Sequence, residues 1–268
     1  MAVTLEFEKK PKALLSLVDS WVMIKRSSTH IVRNTDQLLG TFFQPIMFLV
    51  LFAAVFGGAI EKALPPNVGY LNYLMAGIIV QTVAFGSTTT AIAICNDLQK
   101  GIVDRFRSLP MSNLAVLNGH VISDLLRNTI STVVMILTGL VIGFRTNASA
   151  TDWLMIAGIL LLFTFAFSWL AAIVGVIAKS VEAVQWLTFV IIFPLTFASS
   201  AFVPTDSMPS VLKAFAENQP ITHVINAVRA LILDTPIGNS GWLSVAWSIG
   251  ILVVCVPIVS ILFKHKSN

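Results

Sequence analysis

The chain has 268 residues, of which 56% are hydrophobic and only 11% are charged. Soluble globular domains contain roughly 25% charged residues, so this composition excludes an ordinary soluble protein and predicts a membrane protein. The formal net charge is +4, but the basic residues flank apolar segments and therefore indicate membrane topology rather than nucleic-acid binding. Cys95 and Cys255 are far apart in the sequence and outside any histidine motif, so we expect neither a disulfide nor a metal site.

The first predicted element is an amphipathic helix over residues 11–34. Its apolar residues, Trp21 among them, lie largely on one side of a helix. Asp19, Lys25 and Arg26 interrupt the apolar run well short of the roughly 20 residues that a membrane span needs. A helix lying in the membrane interface is therefore the better interpretation.

Six apolar segments are predicted to span the membrane. Their boundaries are 38–60, 71–95, 114–144, 153–178, 183–203 and 242–263. Pro45 interrupts the first span, which is tolerated where neighbouring groups satisfy the freed carbonyl. The second span carries Gln81 and a run of Ser and Thr at 87–90, which indicates a side that packs against other helices or faces a pathway.

The third span begins with charged residues. Asp124 and Arg127 precede a charge-free run from Asn128 to Phe144, and three residues of separation on a helix allow them to pair. A charge at the middle of a bilayer costs roughly 2.5–3.5 kcal/mol on insertion scales, so this helix is expected to begin in the cytosol or interface. On this interpretation no predicted span has an Asp, Glu or Arg near its centre, which argues against an ion-coupled carrier.

One polar segment, NDLQKGIVDRFRSLPMS at 96–112, separates the second and third spans. As a helix over 97–109 it would have two opposite faces. The apolar face consists of Leu98, Ile102, Phe106 and Leu109, and the charged face of Asp97, Lys100, Asp104 and Arg107. We expect the apolar face to pack on its own protein and the charged face to contact a cytosolic partner.

A second mixed segment, 207–233, precedes the last span and is predicted to form two short helices. Ser207 is expected to cap the first helix and Pro220 to begin the second. In the second helix, Asn226 and Arg229 are expected to point away from an apolar face formed by Val224, Ile225, Val228, Leu231 and Ile232. The pair would lie in the outer interface or enter the outer leaflet as a re-entrant hairpin.

The distribution of basic residues predicts the orientation. On one side of six spans lie Lys9, Lys10, Lys12, Lys25, Arg26, Arg33, Lys100, Arg105, Arg107, Arg127, Lys179, Lys264 and Lys266, and on the other lie Lys62, Arg145, Lys213 and Arg229. Both termini and the 97–109 segment are therefore expected to be cytoplasmic, with the 207–233 pair outside.

The sequence lacks the common motifs of catalysis. It contains no phosphate-binding loop, no HExxH, no GxSxG and no closely spaced Cys and His, so we expect no enzymatic activity and no ATP hydrolysis by this chain. A membrane-embedded transferase would need a cluster of Asp, His or Arg at one face, and the charged residues near 97–107 include no histidine. A structural or sensory membrane protein is a further alternative.

Three segments carry a family resemblance: GIVDRFRSLPMS after the second span, and FPLTFASSAFVPTDSMP followed by AENQPITHVINAVRALIL before the last. With the order of the elements, they make the whole chain, 1–268, similar to the ABC-2 class of ABC-transporter permeases, and to its daunorubicin-resistance type. The resemblance implies an all-α bacterial plasma-membrane protein with six transmembrane helices, an interfacial N-terminal helix, a cytoplasmic coupling helix and an extracellular helix pair.

The resemblance also implies partners. A permease of this class dimerises with an identical or homologous copy and pairs with two copies of a separate cytosolic ATPase, which holds the ATP and Mg. It would export an amphipathic drug or lipid-like compound. A polysaccharide or glycolipid exporter of the same class is the alternative.

Residue roles follow from the same resemblance. Residues 97–109 would be the coupling helix, 11–34 a connecting helix beside it, and 207–233 the outer-leaflet helices capping the exit. ATPase contacts would come from Asp97, Lys100, Asp104, Arg105 and Arg107, unless the arginines only set topology, and the helix would be anchored by Leu98, Ile102, Phe106 and Leu109.

A dimer interface formed by the first and fifth spans would place a substrate pathway beside it. Its lining would be Phe43, Gln44, Met47, Phe193, Phe197 and Ser200. The alternative is that these side chains only pack against one another.

Overall fold

A computed structural model describes residues 35–64, 68–101 and 113–266 of the chain. Within these ranges all regular structure is helical. The helices are α1 (Thr35–Ile60), α2 (Tyr70–Gly86), α3 (Thr88–Gln99), α4 (Asn113–Ile142), α5 (Ala150–Ile177), α6 (Val181–Phe197), α7 (Ser210–Asn218), α8 (Pro220–Ile232) and α9 (Ser240–Lys266). Short 3₁₀ turns occupy Glu61–Ala63 and Thr205–Ser207. The predicted all-α class is confirmed for the described part of the chain.

Five of the helical segments are long and apolar enough to cross a membrane: Phe43–Ile60, Tyr70–Gln99, Leu117–Ile142, Ala150–Ile177 and Ser240–Lys266. They correspond to the first, second, third, fourth and last predicted spans. The predicted fifth span, 183–203, forms the shorter helix α6 of 17 residues, which extends about 26 Å at 1.5 Å per residue.

Helix α6 ends at Phe197, before the predicted limit of 203, because local hydroxyl groups compete for the backbone. The Ser199 hydroxyl donates to the carbonyl of Thr196 at 2.5 Å, and the amide of Ala201 donates to Ser199 Oγ at 3.1 Å. Such side-chain bonds offer the chain an alternative to the helical ladder.

Helix α2 lies at the centre of the bundle. Leu74, Met75, Ile78 and Ile79 are completely buried, and α2 packs against α1, α4 and α8. A helix that is apolar all round, as α2 is, stays stable when other helices cover it on every side.

Helices α5 and α9 form a second packed layer with α3. Gly175 of α5 lies so close to α3 that an added Cβ would be 2.5 Å from the carbonyl oxygen of Ala91. Small residues at a helix crossing allow this approach, so Gly175 sets the distance between α5 and α3.

The second span turns once, at Ser87, so that it forms α2 and α3 rather than one regular helix. The Ser87 hydroxyl donates to the carbonyl of Ala84 at 2.7 Å, and Thr89 Oγ1 donates to the carbonyl of Gly86 at 2.8 Å. Ser87 and Thr89 thus bond to backbone groups around the turn, whereas the buried hydroxyl of Thr90 has no partner among the described residues.

The segment 207–233 forms two short helices, as predicted, and Pro220 begins the second. The predicted capping role of Ser207 is wrong: Ser207 lies in a 3₁₀ turn and donates to the carbonyl of Pro204, while Pro209 directly precedes α7. Lys213 on α7 donates a hydrogen bond of 2.5 Å to Asp206, and this bond raises the pKa of Lys213.

Candidate transport and coupling sites

A groove of small-molecule size lies between α1, the α2–α3 segment and α6. It consists of two adjoining cavities of about 390 Å³ and about 250 Å³. Both cavities are lined by Gln44, Phe48, Gln81, Phe85 and Gln185. The larger one falls within the range of drug-sized pockets, roughly 300–1,000 Å³.

Helix α6 supplies one wall of this groove through residues spaced four apart. Gln185, Phe189, Phe193 and Phe197 share one helix face, and all four line the smaller cavity. The ring centroids of Phe189 and Phe193 are 4.9 Å apart, and those of Phe193 and Phe197 are 4.2 Å apart. We call the three successive rings of Phe189, Phe193 and Phe197 the α6 aromatic ladder. The side-chain amide of Gln185 lies one turn before it on the same face.

Helix α2 supplies a buried amide to the same groove. The side chain of Gln81 is only 5% exposed, yet its Nε2 has no hydrogen-bond partner in the described part of the chain. A buried donor without a partner costs roughly 1–3 kcal/mol, so its presence at a cavity wall suggests a role in binding.

The structure brings together only part of the predicted pathway. Gln44, Phe193 and Phe197 line the groove, whereas Phe43 is 69% and Met47 is 45% exposed outside the lining. Ser200 is buried and donates to Asn226 Oδ1 at 2.7 Å, away from both cavities. The pathway role of all six residues stays a prediction.

Gln185 and Phe189 line the groove but were absent from the predicted pathway. The signal for them was the four-residue spacing with Phe193 and Phe197, which places the four side chains on one stripe of a helix.

Arg229 is the centre of a second, buried polar cluster. Its guanidinium donates to the carbonyls of Ser200 at 2.5 Å and Tyr73 at 3.2 Å, and to Asn226 Oδ1 at 3.0 Å. It also lies 3.6 Å from the centroid of the Tyr73 ring. The cluster joins α8 to α2 and to the segment that follows α6.

The side chain of Arg229 is only 8% exposed, so it does not face water. Helix α8 packs against α2, α5 and α9, so its polar side also faces protein. Carbonyl oxygens and the Tyr73 ring compensate the buried cation.

Asp124 and Arg127 form the predicted pair on α4. The Ser168 hydroxyl of α5 donates to Asp124 Oδ2 at 2.5 Å, and Arg127 Nη2 donates to the carbonyl of Gly86 at 3.1 Å. The pair is 1% and 6% exposed and lies near the middle of α4, a helix of 30 residues. Mutual neutralisation and polar partners allow the pair to lie inside the bundle. That this helix begins in the cytosol or interface stays a prediction.

The predicted helix over 97–109 does not begin at Asp97, because residues 97–99 form the last turn of α3 and Gly101 has a positive φ of 63°. This end of α3 lies against the third span. Asp97 is buried and its Oδ2 lies 3.0 Å from His120 Nε2. Leu98 packs against the apolar cluster that contains Ile94 and Leu117, while Lys100 is exposed. The remaining predicted residues of this segment, Ile102, Asp104, Arg105, Phe106, Arg107 and Leu109, lie outside the described residues, as does the 11–34 helix.

Five helical segments long and apolar enough to cross a membrane define a multi-pass membrane protein. The groove between α1, the α2–α3 segment and α6 is its candidate small-molecule site. Residues 19–233 match the ABC-2 type transporter family. The chain therefore belongs to the ABC-2 type transporter family.

Several relatives of the chain are named as transport permeases. The daunorubicin resistance ABC transporter permease protein DrrB1 of Streptomyces coeruleorubidus is 30% identical over 231 residues, which cover 86% of this chain and 81% of the relative. The probable doxorubicin resistance ABC transporter permease protein DrrC of Mycobacterium tuberculosis is 25% identical over 96% of this chain and 92% of its own length. The putative transport permease ycf38 of Cyanophora paradoxa is 26% identical over 83% of this chain and 75% of its own length.

Proposed function

We propose that the chain is the permease subunit of an ATP-driven exporter that moves an amphipathic drug or lipid-like compound out of the cell. The groove between α1, α2 and α6 carries this proposal, because its aromatic walls suit an apolar body and its amides suit a polar group. Relatives named for daunorubicin and doxorubicin resistance support the same class of cargo.

The energy comes from a separate ATPase. The sequence has no phosphate-binding loop, so ATP and Mg bind to the partner, of which two copies serve a pair of permeases. Lys100, Asp104, Arg105 and Arg107 contact the ATPase from the coupling helix at 97–109. Asp97, whose buried carboxylate is bonded to His120, lies in the last turn of α3 and holds that end of the helix against α4.

A second permease copy, identical or homologous, completes the pathway. Only 6% of the residues in Phe43–Ile60 are buried, and Trp186 and Val190 of α6 are 69% and 61% exposed. The partner copy covers these faces of α1 and α6 on either side of the groove. ATP then closes the ATPase pair, the coupling helices move with it, and the two permeases open outward.

The topology that goes with this function has six spans in a bacterial plasma membrane and both termini in the cytoplasm. Helix α6 crosses as the fifth span together with the 198–204 segment, and the α7–α8 pair lies on the outer side. The unequal distribution of Lys and Arg supports this orientation.

The size of the groove favours a small amphipathic cargo over the alternatives. Five of the ten residues that line the smaller cavity are phenylalanines, which suits an apolar body better than the many hydroxyl groups of a polysaccharide.

Transport by inverted membrane vesicles tests the proposal. Vesicles containing the chain and its ATPase partner should accumulate doxorubicin when ATP is added, and vesicles with a hydrolysis-deficient ATPase should not. ATP-independent accumulation, or ATPase activity that is the same with and without the permease, would contradict the proposed function.

A further inference from the structure

We infer that Gln44, Gln81 and Gln185 recognise an uncharged hydrogen-bonding group of the transported compound, such as a carbonyl or hydroxyl, while the α6 aromatic ladder holds its apolar body. This inference rests on the proposed export function and specifies the class of cargo. Helices α1, α2 and α6 each contribute one of the three amides, and all three line both cavities.

The unpaired Nε2 of Gln81 is the strongest evidence. The side chain is buried and its amide nitrogen meets no acceptor among the described residues, although a primary amide has two hydrogens to donate. Water or a ligand in the groove can accept these bonds. A ligand carbonyl or hydroxyl satisfies the donor while the aromatic wall excludes water.

Three of the four threonine hydroxyls on the described lining, those of Thr82, Thr89 and Thr188, already donate to backbone carbonyls. Thr82 donates to the carbonyl of Ile78 at 2.7 Å and Thr188 to that of Val184 at 2.7 Å. Each hydroxyl has one hydrogen, so these threonines offer only their lone pairs to a ligand. The amides and the hydroxyl of Thr88, which lines the smaller cavity, therefore provide the available side-chain donors on the described lining.

Charge is absent from the described lining, which contains no acidic, basic or histidine side chain. The nearby carboxylate of Asp124 is already paired with Arg127. Burying an ionised phosphate, sulfonate or carboxylate without a compensating charge costs far more than burying a neutral polar group. The groove therefore selects against anionic headgroups.

Binding of three related three-ring compounds tests this selectivity. The probes are 2,6-dihydroxyanthraquinone at pH 6, anthraquinone-2-sulfonate and anthracene. Saturable binding is measured on the full-length chain with its ATPase partner in lipid nanodiscs, and empty nanodiscs report partition into lipid. The dihydroxy compound should bind most tightly and the sulfonate should show no saturable binding.

Gln81→Leu and Gln185→Leu then test the amides. Each should weaken binding of the dihydroxy compound about five- to tenfold, as expected for one lost hydrogen bond, and leave anthracene unchanged. Thr164→Val is the matched control, because Thr164 is a buried polar residue of α5 outside the groove. Gln81→Leu should not lower the thermal unfolding temperature, since it removes an unpaired buried donor.

The inference is overturned if the sulfonate binds as tightly as the dihydroxy compound. It is also overturned if both leucine variants bind the dihydroxy compound as tightly as the unsubstituted chain does. Its failure can be told apart from failure of the export function. ATP-dependent transport with an unchanged compound profile in both variants contradicts the inference alone. Absence of transport with the expected binding differences contradicts the export function alone.

Discussion

At the scale of single residues, Arg229 shows how a buried cation is stabilised without a carboxylate among the described residues. Its planar guanidinium donates to the carbonyls of Ser200 and Tyr73 and to Asn226, a geometry that lysine cannot reproduce. Arg229→Lys should therefore lower the free energy of unfolding by about 1–3 kcal/mol, measured by denaturation in detergent. Lys213→Ala, which removes an exposed ion pair with Asp206, should leave it unchanged.

For the buried Asp124–Arg127 ion pair, we expect removal of one charge to destabilise the fold more than removal of both. Arg127→Met leaves a buried carboxylate without its partner and should cost about 3–5 kcal/mol. The double variant Asp124→Leu with Arg127→Met removes both charges and should be more stable than Arg127→Met alone. A double-mutant cycle on the unfolding free energy measures the coupling, and a double variant less stable than Arg127→Met would contradict the prediction.

At the scale of helices, the contact between α5 and α3 depends on Gly175. An added Cβ would be 2.5 Å from the Ala91 carbonyl, so Gly175→Ala must push the helices apart and should cost about 1–3 kcal/mol. Gly158 is the control on the same helix, since a Cβ there meets no atom within 4 Å. Gly158→Ala should be neutral or stabilise the helix by up to about 1 kcal/mol. Equal thermal stability of the Gly175→Ala and Gly158→Ala variants would contradict the claim that Gly175 sets the distance between α5 and α3.

The positions of the helices were predictable from the sequence because they follow from local composition. Contacts between residues on different helices were not predictable, because they depend on how the helices pack. A run of apolar residues predicts a long helix wherever it packs, and five such helices are found. The burial of Arg229 depends on carbonyls of Tyr73 and Ser200, which are 156 and 29 residues away in sequence. The groove likewise joins Gln44, Gln81 and Gln185 from three helices, a proximity that no periodicity within one helix indicates.

At the scale of the whole molecule, the two ends of the second span have different tasks in the proposed cycle. Gln81 of α2 faces the groove, while Leu98 of α3 packs on the apolar cluster that contains Ile94 and Leu117, at the start of the 97–109 segment. The turn at Ser87 lies between them, and Arg127 bonds to the carbonyl of Gly86 beside it. Movement imposed on the coupling segment would therefore reach the groove through α3 and this turn.

Charge reversal in the coupling segment tests this connection. Arg107→Glu places a negative charge on the face proposed to contact the ATPase, and should abolish the permease-dependent stimulation of ATP hydrolysis while leaving expression and membrane insertion intact. Arg145→Glu is the control, because it makes the same change after α4, on the predicted outer side. Binding of 2,6-dihydroxyanthraquinone should persist in Arg107→Glu, since the described lining of the groove lies on α1, α2, α3 and α6. Unchanged stimulation in Arg107→Glu would show that Arg107 only sets the topology.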